Sequence, residues 1–161
     1  MAIGFLRAAA RRLKEHRYTI RGNTPLPPVI LCADDDDSVR ALCAAVLARA
    51  GFRTDTARNG REALERIHEQ EYAAILLDLD MPYVHGATVL ALLAREQPRI
   101  LRRLIIMTAL PSVATNDFEG SVGATLRKPV RNDELVAAVR SCCEAPDVRP
   151  APVAAAIPVQ A

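Results

Sequence analysis

Tryptophan is absent from this chain, and aromatic residues make up only 4% of its 161 residues. The core must therefore be built from Ala, Val, Leu and Ile. Cysteine is scarce as well. Cys32, Cys43, Cys142 and Cys143 carry no metal-ligand spacing, which excludes a zinc module. They read as small core residues in a reducing, cytoplasmic compartment. No apolar run approaches the length of a membrane span. The N-terminus joins no continuous apolar segment to a cleavage site, so no secretory signal is expected. Net charge is small, +2, and points to no polyanionic partner and no nucleic acid. No internal repeat is visible.

What the chain does have is Ile75-Leu76-Leu77-Asp78-Leu79-Asp80-Met81-Pro82. An apolar run ends abruptly in a carboxylate, and proline follows four residues later. Such a run reads as a buried strand of a parallel sheet. Ligands of open α/β sheets bind beyond the carboxyl ends of the strands, which is where Asp78 falls.

Taken in order, residues 1–28 form a basic extension. Ile3, Phe5, Leu6 and Leu13 alternate with Arg7, Arg11, Arg12, Lys14 and Arg17, a short helical pattern with a broken apolar stripe. Gly22 to Pro28 is a linker. Val29 to Ala33 is the first strand and runs straight into four aspartates, Asp34 to Asp37. Val39, Leu42, Cys43, Val46, Leu47 and Ala50 then follow helical spacing, with the last acids and Ser38 placed to cap the helix and Gly51 placed to close it. Phe52 to Ala57 is a second strand. A second helix opens at Asn59 or Arg61 and buries Ala63, Leu64 and Ile67. The third strand covers Ala73 to Leu79. A third helix carries Val89, Leu90, Leu93 and Ala94 until Pro98.

Leu104 to Met107 is the fourth strand, ending in Thr108-Ala109. A weak helix is expected over Pro111 to Val122. Ala124 to Arg127 is a fifth strand ending in Lys128-Pro129, and Asn132 or Asp133 caps a last helix with Leu135, Val136, Val139 and Cys142 on its apolar face. Residues 146–161 are a Pro/Ala-rich tail without helical period, expected to be disordered. Five strands alternating with five helices specify an α/β fold, a doubly wound parallel sheet with helices on both faces, over residues 29–145.

This topology gathers the ends of four strands. Asp34 and Asp35 follow the first, Asp78 the third, Thr108 the fourth and Lys128 the fifth. Converging carboxylates repel unless a cation joins them. An all-oxygen set of this kind suits Mg²⁺.

The pattern resembles the response regulator receiver domain of two-component signalling. The matching stretches are Val29 to Asp36, Asn59 to Leu64, Leu77 to Pro82, Met107 to Ala109, and Gly123-Ala124 followed by Lys128-Pro129. The resemblance implies a flavodoxin-like sheet of order 2-1-3-4-5. It implies Asp78 as phosphoacceptor, Asp34, Asp35 and Asp78 as Mg²⁺ ligands, and the backbone carbonyl of Asp80 as a further ligand. Thr108 and Lys128 would meet the phosphoryl oxygens, and Lys128-Pro129 would be a cis peptide. The donor would be a sensor histidine kinase or a histidine phosphotransfer protein. Output would be protein contact with an unknown downstream partner, because no DNA-binding or catalytic segment is evident after the domain.

The chain departs from the family in three places. Thr125 stands three residues before the lysine, where an aromatic switch is usual, and the segment from Gly123 to Lys128 is short. His85 precedes Gly86 in place of an Asp and reads as a loop residue near the mouth of the site. Asp80 adds a charge beside it. Two other functions are compatible with parts of the sequence. One is a pseudo-receiver that only binds a partner. The other is a phosphatase of the haloacid-dehalogenase type, whose nucleophile motif Asp78-Leu79-Asp80 resembles, although the acidic pair Asp34-Asp35 comes too early for that family. The receiver reading expects no turnover of an external substrate.

Overall fold

The computed structural model describes residues 27–81, 84–109, 118 and 120–144. The extension before Pro27, most of the helix expected over Pro111 to Val122, and the tail lie outside those residues.

Five strands form one parallel sheet: β1 (Val29–Ala33), β2 (Arg53–Ala57), β3 (Ala74–Asp78), β4 (Leu104–Thr108) and β5 (Ala124–Arg127), in the order β2-β1-β3-β4-β5. All four pairings are parallel, with Leu31 opposite Asp55 and Ile75, and Ile106 opposite Leu77 and Thr125. The three inner strands are buried on both faces, which is why they read as unbroken apolar runs.

Side chains alternate across the sheet and feed two cores. Leu31, Ile75, Leu77, Leu104 and Ile106 face α2 (Gly60–Glu69) and α3 (Gly86–Glu96), where Ala63, Ile67, Val89, Leu90 and Leu93 close over them. Ile30, Cys32, Leu76, Ile105 and Met107 face α1 (Asp37–Arg49) and α4 (Asn132–Glu144), which contribute Cys43, Leu47, Leu135, Val139 and Cys142. Each fully buried Leu or Ile stabilises the fold by about 2 kcal/mol through removal of apolar surface from water.

Chain ends of the helices follow their sequence signals closely. The Asp36 carboxylate accepts from the N–H groups of Ser38 and Val39 and caps α1; Gly51, with φ of 91°, leaves that helix in the left-handed region. Asn59 caps α2 through the N–H of Glu62, and the Glu62 carboxylate accepts from Arg58 N–H in return.

Two expectations are corrected. Leu42, assigned to the apolar face of α1, is 54% exposed, and Arg40 is buried instead. The helix meets the sheet along Cys43 and Leu47, so Leu42, one position earlier, is rotated away from it. Asn132 is already the first residue of α4: the N–H of Leu135 bonds to the Arg131 carbonyl, so Arg131 rather than Asn132 or Asp133 holds the cap position. Pro98 ends α3 as expected, and in addition starts a 3₁₀ segment, Pro98–Arg103, where a proline is tolerated because the first N–H groups of a helix have no partner.

Candidate functional site

The C-terminal edges of β1, β3, β4 and β5 bring the four groups singled out from sequence into one crevice. Asp34 is completely buried, Asp78 is 2% exposed and Thr108 is 3% exposed. Asp35 is exposed beside them. Thr108 ends β4, directly next to Met107, the residue paired with Asp78.

Lys128 is delivered by the sheet itself. Its N–H continues the β4–β5 ladder by bonding to the Thr108 carbonyl at 2.8 Å, and its peptide bond to Pro129 is cis, as the resemblance implies. The ammonium lies 2.8 Å from Asp34 Oδ2 and 2.8 Å from Asp78 Oδ2. One cation thus bridges two buried carboxylates from the ends of two strands.

The remaining carboxylate oxygens are held from the backbone. Asp34 Oδ1 accepts the N–H of Asp36 at 2.9 Å, and Asp78 Oδ1 accepts the N–H of Asp80 at 3.1 Å. Asp80 is exposed while its neighbours Leu79 and Met81 are buried in the α2–α3 core, which anchors the loop after β3. The start of α3 presses on the same loop: a Cβ on Gly86 would overlap the Asp78 carbonyl oxygen and approach Leu79 Cα. His85 occupies the cap position of α3, exposed and making no side-chain cap.

Burial pushes the Asp34 carboxyl above the usual aspartate range, and the hydrogen bond from Lys128 pulls it partly back. Burial alone would lower Lys128, yet its hydrogen bonds to Asp34 and Asp78 outweigh burial and hold it above the ordinary lysine value. The crevice sets one ammonium against two buried carboxylates.

Asp34, Asp35 and Asp78 each offer one oxygen, and the three oxygens lie within 4.8 Å of one another. Two oxygens on opposite sides of a Mg²⁺ ion are about 4 Å apart, twice a bond of about 2.1 Å. The spacing and the all-oxygen chemistry both fit a hard divalent cation. The Asp80 backbone contributes its N–H to Asp78 in this arrangement.

Sequence reasoning missed Arg40. Its guanidinium is buried behind the pocket, donating from Nη1 to the Asp34 carbonyl at 2.6 Å and pairing through Nη2 with the Asp37 carboxylate. Its position four residues after the Asp36 cap was the available signal.

Comparison with known proteins gives one consistent result. The family model described as the response regulator receiver domain matches residues 30–140. The transcriptional regulatory protein TcrA of Mycobacterium tuberculosis is 32% identical over 114 residues, covering 70% of this chain and 44% of TcrA. The transcriptional regulatory protein SrrA of Staphylococcus aureus is 35% identical over 115 residues, covering 70% of this chain and 46% of SrrA. The chain spans less than half the length of these curated relatives. Among solved structures, the receiver domain of the Francisella response regulator 1452 superposes with a TM-score of 0.65 at 32% identity, covering 73% of this chain and 97% of that one. TrrA of Thermotoga maritima, solved in complex with Mg²⁺-BeF, gives 0.63 at 26% identity over 71% of this chain and 98% of its own. With the sheet order, the acidic crevice and the matched residues in agreement, the chain belongs to the response regulator receiver domain family.

Proposed function

We propose that this chain accepts a phosphoryl group on Asp78 and signals through protein contact. The observation that carries the reading is the crevice: a buried Asp78 carboxylate 2.8 Å from the Lys128 ammonium and within one oxygen cluster with Asp34 and Asp35.

The donor is a phosphohistidine on a sensor histidine kinase or a histidine phosphotransfer protein. An Asp78 oxygen attacks phosphorus, the O–P bond forms, the P–N bond breaks, and the imidazole leaves with that electron pair. Asp35, Asp34, Asp78 and the Asp80 carbonyl would hold Mg²⁺, which supplies positive charge to the phosphoryl oxygens. Lys128 exchanges its carboxylate contact for a phosphoryl oxygen, and the Thr108 hydroxyl serves another.

Thr108 ends β4 beside β5, so drawing its hydroxyl toward the phosphoryl group alters the β4–β5 side of the sheet, where a partner reads the state. Thr125, exposed on β5, takes the place of an aromatic switch there, so the readout uses Thr108 and backbone movement. The transcriptional role in the names TcrA and SrrA belongs to those longer proteins.

The test is incubation with acetyl phosphate and Mg²⁺, followed by intact-mass measurement. A base-labile gain of one phosphoryl group, lost in Asp78→Asn, is expected. No gain in the unaltered chain would make it a binding module, and steady turnover of varied phosphate esters would make it a phosphatase.

A further inference from the structure

Arg40 is the one buried basic residue among the described residues, yet it touches no group that would meet the phosphoryl. Its guanidinium reaches back from the first turn of α1 to the carbonyl of Asp34 at 2.6 Å, while its other terminal nitrogen pairs with the Asp37 carboxylate. It therefore spans the β1–α1 loop from its first acid to its last.

The Asp34 carbonyl belongs to the peptide plane that joins Asp34 to Asp35. A planar peptide moves as one unit, so pinning its oxygen restrains the two Cα atoms from which the Asp34 and Asp35 side chains depart. The four acids then divide their tasks. The Asp34 carboxylate meets Lys128 and the N–H of Asp36; the Asp36 carboxylate caps α1; the Asp37 carboxylate holds Arg40. Asp35 alone is left to turn its oxygen toward Asp34 and Asp78.

We infer that Arg40 is a positioning residue for the divalent-cation site: by clamping the Asp34–Asp35 peptide plane it preorganises the Asp35 carboxylate, and so sets the affinity of the crevice for Mg²⁺. This rests on the reading of the crevice as a Mg²⁺-dependent phosphoacceptor site. A flat, forked guanidinium can hold two acceptors in different directions at once, whereas the single ammonium of a lysine cannot do so with the same fixed geometry. Groups that orient metal ligands from behind typically change affinity by about ten- to a hundredfold when removed.

The experiment uses the full chain, with Mg²⁺ alone as the probe. Mg²⁺ binding is followed by titration calorimetry at one temperature below unfolding, where the midpoint of saturation is set by affinity, and the unfolding temperature, which an ion binding only the folded state raises, is recorded alongside. For Arg40→Met, which keeps an apolar stem of similar reach, the midpoint is expected to move about tenfold toward higher Mg²⁺. Arg40→Lys is expected to move it in the same direction by less. At saturating Mg²⁺, phosphorylation by acetyl phosphate should reach the extent seen in the unaltered chain.

A role confined to helix packing would lower the unfolding temperature at every Mg²⁺ concentration and leave the midpoint where it was; that result overturns the inference while the phosphoacceptor reading stands. If Arg40→Met does not fold, the Arg40→Lys midpoint decides, and an unshifted value again overturns it. Absence of any Mg²⁺ response in the unaltered chain would remove both the inference and the reading on which it rests.

Discussion

Lys128 Nζ stands 2.8 Å from Asp34 Oδ2, a contact made across 94 positions of sequence between the end of β1 and the end of β5. Asp34 is wholly buried, so the contact is the carboxylate's substitute for water. It also closes the crevice around Asp78, whose own oxygen touches the same ammonium.

Removing that cation should cost stability before it costs chemistry. Lys128→Met leaves two carboxylates facing each other, and breaking a buried pair by deleting one partner costs about 3 kcal/mol. Urea denaturation in a chelator should show this loss, and Mg²⁺ should restore part of it by taking over the neutralisation. Phosphorylation from acetyl phosphate should slow about a hundredfold, the usual effect of losing one preorganised donor to a transferring group. A loss of stability below about 0.5 kcal/mol would mean that solvent screens the pair.

Gly86 and Gly51 should respond to alanine for different reasons. At Gly86 the added Cβ overlaps the Asp78 carbonyl, so the start of α3 must move or the strand end must shift. A cost of about 3 kcal/mol and a slower acceptor are expected. At Gly51 nothing lies within 4 Å of the added atom, but φ is 91°, and the left-handed region alone costs about 1 kcal/mol. Thermal unfolding of both variants, with phosphorylation measured on each, separates the two: only Gly86→Ala should impair the chemistry.

Glu62 gives a pH dependence away from the site. The N–H of Arg58, followed by Arg66, holds its carboxyl below the ordinary glutamate value. A carboxyl whose pKa is lower folded than unfolded contributes stability that is complete above the unfolded value and is lost as pH falls through the folded one. Glu62→Gln should therefore cost about 1 kcal/mol at neutral pH, the usual value of such a cap. The gap from the unaltered chain should close on acidification through that window. Denaturant midpoints across the acid range provide the measurement; a gap that widened on acidification would contradict the assigned cause.

Two leucines of α1 should separate cleanly. Leu47 is fully buried between α1 and the sheet, and Leu47→Ala should cost about 3 kcal/mol. Leu42 is largely exposed, and Leu42→Ala should stay within about 0.5 kcal/mol. Comparable losses at both positions, read by denaturant unfolding, would mean that something covers Leu42 in solution.

Leu42 also shows where a one-dimensional reading stops. Helical spacing places Val39, Leu42, Cys43, Val46 and Leu47 on one broad stripe, and only the direction from which β1 and α4 approach selects Cys43 and Leu47 as its centre. Arg40 escaped notice for the complementary reason. Its value lies in reaching backward to a carbonyl, and a backbone acceptor leaves no trace in residue type. Asp36 was more legible, because an acid before a helical period has a local task whatever the tertiary fold.

The sequence by itself determined the strands, most helix limits, the sheet's parallel character and the four strand-end groups, since each follows from local periodicity, breakers and caps acting within a few residues. Tertiary structure alone decided that Lys128 bridges Asp34 and Asp78, that Gly86 abuts the Asp78 carbonyl, and that Arg40 turns inward. Those contacts depend on the distance and direction between distant backbone segments, and these are set only when the two cores pack against the sheet.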